Sequence, residues 1–152
     1  MNQAKRKRIS ILVRRRMPSW LKHGCKYLLR PDYRHKHQEI ARIGSLPHYR
    51  QTVTDILSQP LEIADGPTFV HKYKEIFEQQ IYRFRSNNQR PFIIDGGANI
   101  GLSILYFKKI YPLSQIVAFE PDEKIFSVLQ RNIQKSGDGD IGNLNEMCKM
   151  IA

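Results

Sequence analysis

The sequence predicts an α/β fold with a parallel sheet, and three observations predict it. Two short apolar runs rich in β-branched residues, Phe92-Ile93-Ile94 and Gln115–Glu120, each close on an acid, Asp95 and Glu120. A glycine-rich loop, Gly96-Gly97-Ala98-Asn99-Ile100-Gly101, follows the first run. Helical periodicity follows both runs. Strands buried in a parallel sheet read as continuous apolar stretches. The order strand, glycine loop, helix, strand, acid, helix is therefore the opening βαβα of a doubly wound, Rossmann-like fold.

The segments around that unit differ in character. Residues 1–50 form a basic N-terminal extension holding 14 of the 25 Lys+Arg and 2 of the 14 Asp+Glu, so the net charge of +11 is wholly N-terminal. Lys5–Arg8 and Arg14–Arg16 flank Ile9–Val13, and Trp20, Leu21 and Tyr27–Leu29 lie among further cations. Three readings stay open: a solvated extension, an interfacial helix on anionic lipid, and, as the least favoured, a nucleic-acid contact. The sequence offers His35, His37 and His48 no nearby acidic or cysteine partners of a metal site, so none is expected there.

Residues 51–90 read as a helical lead-in that covers the following domain. Ala64-Asp65-Gly66-Pro67 reads as a turn. Tyr73, Ile76, Phe77, Gln80, Ile81 and Phe84 then recur at helical spacing, up to the polar loop Ser86–Gln89.

Residues 91–134 carry the parallel unit. Its first helix places Ile100, Ile104, Phe107 and Tyr111 on one face, leaves Lys108 and Lys109 outside, and ends at Pro112. Asp122 can cap the second helix, whose Ile125, Leu129 and Ile133 line one side. Residues 135–152, a divergent tail, show no strand, although Leu144, Met147, Cys148 and Ile151 could form a helical turn or two.

Two cysteines, Cys25 and Cys148, make neither a metal motif nor a disulfide framework, which favours a reducing cytoplasm. No apolar run approaches the ~20 residues of a membrane span. The expectation is a cytoplasmic protein, peripheral to the inner face of the membrane if residues 1–50 bind lipid.

The glycine loop lies where backbone N–H groups and a helix N-terminus meet a ligand. Glu120, 25 residues after Asp95, ends the neighbouring strand, where a carboxylate can accept both hydroxyls of a ribose. A dinucleotide loop has glycine at its first, third and sixth positions; here Gly96, Ala98 and Gly101 stand there, so the second is missing. Asp95, Gly97, Asn99 and Gly101 fit instead the alternating small residues of a methyltransferase loop. The glycines could also serve the turn alone.

The stretch FIIDGGANIGLSILYFKKIYPLSQIVAFEPDEKIFSVLQRNIQ closely resembles the FkbM-type methyltransferases. The resemblance rests on Asp95, Gly97, Ala98, Asn99 and Gly101, on Ala118–Pro121, and on Phe126, Leu129, Asn132 and Ile133, with Tyr73–Phe84 as a similar lead-in. It implies the N-terminal part of a class I methyltransferase fold with S-adenosylmethionine as cofactor. It also implies O-methylation of a small-molecule or glycan acceptor: a sugar, glycolipid or natural product. Carried over, Asp95 would lie near the methionine end, and Gly96, Gly97, Asn99 and Gly101 would shape the loop around it. Glu120 would hold the ribose, and Pro121 and Asp122 would border the adenine.

The pattern departs from the family after Gln134, where no third strand is recognisable. The expectation is a chain truncated after the second strand and helix, with no catalytic residue of its own and an activity in doubt. Two alternatives stand beside it. One is a dehydrogenase-like module, against which the missing glycine argues. The other is a non-catalytic basic interaction or membrane-surface protein retaining a vestigial nucleotide-binding unit.

Overall fold

The computed structural model describes residues 30–135 and 148–149. The readings made on residues 1–29 and on most of the tail lie outside these. The chain divides into two units, Met1–Glu39 and Ile40–Ala152.

Helix α1 (Pro31–Gly44) opens on a proline with Asp32 in its first turn, both favourable at a helix N-terminus. In the first unit Arg30 Nη2 donates to Asp32 Oδ2 at 3.0 Å, and the Tyr33 and His37 rings meet edge to face.

The second unit contains the last turn of α1, whose Ile43 is fully buried. A small antiparallel ladder follows, β1 (Thr52–Thr54) on β2 (Leu61–Ile63), with Thr52 opposite Ile63. The sequence reading missed it, because three-residue strands give too little alternation to detect.

Helix α2 (Gly66–Tyr73) then runs into a π-helical turn, Lys74–Glu78. This corrects the expected turn at Ala64–Pro67 and the expected helix reaching Phe84. Asp65 is the N-cap, its side chain accepting from Thr68 N, and Pro67 stands in the first turn, so the Asp-Gly-Pro signal starts a helix. Beyond Glu78 the chain is non-helical, with Gln80 at φ 56°. Ile81, Tyr82 and Phe84 remain partly exposed, but the rings of Tyr82 and Phe84 pack on Phe107, and that of Phe84 also on Tyr111.

The parallel unit is β3 (Phe92–Asp95), α3 (Leu102–Ile110), β4 (Gln115–Phe119) and α4 (Glu123–Lys135). The strands run parallel from Phe92 opposite Gln115 to Asp95 opposite Ala118. A two-residue strand, β5 (Cys148–Lys149), adds to β4 in parallel beside Ala118 and Phe119, giving the order β3-β4-β5. The tail therefore contains a strand, contrary to the expectation of none; two residues are too short to leave a periodic signal.

Ile93, Ile116 and Ala118 are buried in one core cluster with Ile104, Leu129 and Ile133. The other face of β3 is open: Phe92 is 62% and Ile94 68% exposed. The run Phe92–Ile94 is thus not buried on both sides as its composition suggested. A second correction concerns Lys108, which is buried rather than outside. Its ammonium donates to Ser114 O at 2.6 Å, and burial pushes its pKa down. The fold is α/β, compatible with the N-terminal part of a Rossmann-like methyltransferase fold.

Candidate functional site

The loop between β3 and α3 is held from both ends. Ala98 N donates to Phe119 O at 3.0 Å, which ties the loop to the end of β4. Asn99 takes a left-handed conformation (φ 47°), and its backbone N–H donates to Glu120 Oε2 at 2.9 Å. Asn99 Oδ1 in turn accepts from Ile100 N at 2.8 Å. Gly101 caps α3 at φ 95°, where a side chain would be strained, so the turn itself explains this glycine.

Gly96 and Gly97 differ. Neither has a positive φ, and a Cβ at either would meet nothing within 4 Å. The fold needs no glycine at these positions, yet they keep the space beside the loop clear.

Glu120, 8% exposed, follows β4 directly and stitches two loops together. Its Oε2 accepts from Asn99 N and its Oε1 from Asp122 N at 3.0 Å. A carboxylate has about four acceptor sites, so two stay available for hydroxyl donors. Asp122 caps α4, its Oδ1 accepting from Lys124 N at 2.8 Å and Ile125 N at 3.0 Å. Pro121 and Asp122 are both exposed.

Asp95 is half-buried at the end of β3 and accepts from Ser103 Oγ at 2.5 Å. Burial pushes its pKa up, the Ser103 hydrogen bond opposes this, and the charge of Glu120 adds to the rise. Two carboxylates thus concentrate negative charge beside the loop, which favours a cationic ligand group.

A cleft of about 520 Å³ opens along the loop. Of the sequence-predicted residues it is lined by Gly97 and Asn99; Asp95, Gly96, Gly101, Glu120, Pro121 and Asp122 do not line it. Asp95 reaches it through Ser103, and Glu120 through the Asn99 backbone.

Sequence reasoning missed other residues that line this cleft: His48, Tyr49, Asp65, Thr68, Lys72 and Tyr82. Contrary to the expectation of a histidine without acidic neighbours, His48 Nδ1 lies 3.0 Å from Asp65 Oδ2. The two are 17 residues apart, so no local spacing could reveal the pair. The same carboxylate accepts from Tyr49 N at 2.6 Å and Thr68 N at 2.9 Å. Asp65 is held well below the usual carboxylate range, first by the Thr68 side chain, with burial opposing, and then by Tyr49, the Thr68 N–H and His48.

Among the described residues no cluster of three or more His, Cys, Asp or Glu could hold a metal. None of their helices is long and apolar enough to cross a membrane.

No family model matches the chain. It is 49% identical over 61 residues to Methyltransferase sdnD from Sordaria araneosa, covering 40% of this chain and 24% of that protein. It is 46% identical over 66 residues to Methyltransferase 1 from Beauveria bassiana (strain ARSEF 2860), covering 43% of this chain and 26% of that protein. The chain thus spans about a quarter of the length of these two curated relatives. Similarity at this level to two methyltransferases supports a methyltransferase family for this chain.

Proposed function

We propose that residues 91–134 are the S-adenosylmethionine-binding part of an FkbM-type methyltransferase that methylates oxygen on a sugar, glycolipid or natural product. The observation that carries this reading is Gly97, a cleft-lining glycine that the fold does not require and beside which the space is open. The bound cofactor supplies a methyl carbon already activated by its sulfonium.

The chain's own residues do the rest. Gly96 and Gly97 let the backbone approach the ligand, while Asn99 and Gly101 set the loop's curvature. Glu120 receives the ribose hydroxyls with its remaining acceptor sites, and Pro121 and Asp122 border the adenine. Asp95 faces the methionine end, where with Glu120 it offers negative charge to a sulfonium and an ammonium. The same charge works against a dinucleotide, whose pyrophosphate would be brought against two carboxylates.

Calorimetric titration with S-adenosylhomocysteine and with NAD tests the reading. Saturable binding of the first and none of the second is expected. Glu120→Gln, which removes the charge but keeps one acceptor oxygen, should weaken binding by about ten- to a hundredfold, the worth of a charged hydrogen bond. A soluble, folded chain that ignores S-adenosylhomocysteine would sink the proposal. The alternative of a membrane-surface or basic interaction protein would show as salt-dependent binding to anionic vesicles that survives the same substitution.

A further inference from the structure

The cleft beside the glycine loop is lined by a group that the proposed cofactor contacts leave unused. We propose that His48, oriented by Asp65, is the general base that takes the proton of the methyl-accepting hydroxyl. This rests on the reading of the cleft as a methyl-donor site and supplies the catalytic group that the sequence reading placed outside the chain.

The arrangement is that of an acid–imidazole pair. Asp65 has 14% of its side chain exposed, and both its oxygens lie within 3.3 Å of His48 Nδ1. An ionised carboxylate there keeps the shared proton on Nδ1, so the neutral ring presents its lone pair at Nε2. His48 Nε2 makes no hydrogen bond to a described residue, and the side chain is 66% exposed.

The backbone points the same way. Tyr49 sits at φ 61°, a conformation that bulky residues avoid, and its N–H is clamped by Asp65 Oδ2 at 2.6 Å. Strain of this kind persists only where surrounding contacts enforce it, and it gathers at functional sites. An N-cap for α2 would need Asp65 alone; nothing in capping calls for a strained tyrosine or a paired imidazole.

Two neighbouring side chains of the cleft are engaged elsewhere. Lys72 Nζ pairs with Glu75 Oε2 at 3.0 Å, and the Tyr82 ring stacks on Phe107. Gly97 and Asn99 line the same cleft as His48, so in this proposal a hydroxyl bound there is taken between Nε2 and the methyl donor. The oxygen forms a bond to the methyl carbon and the carbon–sulfur bond breaks with its electron pair left on sulfur. The hydroxyl proton passes to Nε2. The positive charge thereby moves from sulfonium to imidazolium, and the products are an ether and a neutral thioether.

Carbethoxylation by diethyl pyrocarbonate, read histidine by histidine by mass spectrometry, tests this on the intact chain. The pH is set where the imidazoles are neutral, so rates report nucleophilicity. His48 should react several-fold faster than His35, His37 and His71. Asp65→Asn, which retains an N-capping oxygen, should bring it down to their rate. S-adenosylhomocysteine should protect His48 and leave the other three unchanged. If calorimetry shows that S-adenosylhomocysteine binds but His48 reacts no faster than the others, or is not protected, the base assignment falls and the cofactor reading stands. If S-adenosylhomocysteine does not bind, the cofactor reading falls and takes the base assignment with it.

Discussion

Asn132 shows how much one side chain can connect. It is fully buried on α4, and its Oδ1 accepts from Glu62 N at 2.7 Å. Its Nδ2 donates to Glu62 O at 3.0 Å and to Ile100 O at 2.9 Å. The amide thus joins the β2 strand, the glycine loop and the second helix of the parallel unit. In the sequence Asn132 stands out only as part of a family-like pattern; its partners, 32 and 70 residues away, are invisible to periodicity. Asn132→Ala should cost roughly 3 kcal/mol, because it leaves buried backbone groups without partners. Denaturant unfolding checks this, and a loss under about 0.5 kcal/mol, the range of ordinary surface changes, would refute the role.

At the scale of elements, legibility followed signal length. β3, α3, β4 and α4 were readable because an apolar run, a loop and an amphipathic period agree over some forty residues. The strands observed fall within a residue of those expected: β4 ends at Phe119 and Glu120 follows it. The start of α2 was not readable, because Asp-Gly-Pro serves a turn and a helix N-terminus equally well. The structure decides it through Asp65, whose carboxylate caps the helix and gathers the His48–Tyr49 turn. The pKa of Asp65 is depressed in the folded state, so its stabilisation is present above the unfolded value of about 3.9 and is lost as pH falls through the folded one. Asp65→Asn does not titrate. The stability advantage of the wild type over this variant, set at neutral pH by the charge at the helix N-terminus and worth about 0.3–1 kcal/mol, should therefore shrink on acidification. Parallel pH–unfolding curves for the two proteins would contradict it.

At the scale of the whole molecule, strand β3 is covered on one face. Phe92 and Ile94 stand on the other, and parallel sheets ordinarily bury both. An exposed apolar face of this kind promotes association. Replacing Phe92 and Ile94 by Thr should raise the monomeric fraction in sedimentation and change stability by no more than about 1 kcal/mol; unfolding of the variant would instead make that face part of the core. The sequence pattern could announce the strand but not which of its faces finds a cover, since that depends on what else packs there.

The most direct test of the cofactor site is Gly97→Ala, measured for both stability and S-adenosylhomocysteine affinity. A Cβ at Gly97 meets nothing within 4 Å and the backbone there is not left-handed, so stability should hold or rise by about 0.4–1 kcal/mol. If a ligand occupies that space, the added methyl overpacks it, and affinity should fall by about tenfold or more. Unchanged affinity in a protein of unchanged stability would mean that the space beside Gly97 is not where the cofactor lies, and the proposed site would have to be abandoned.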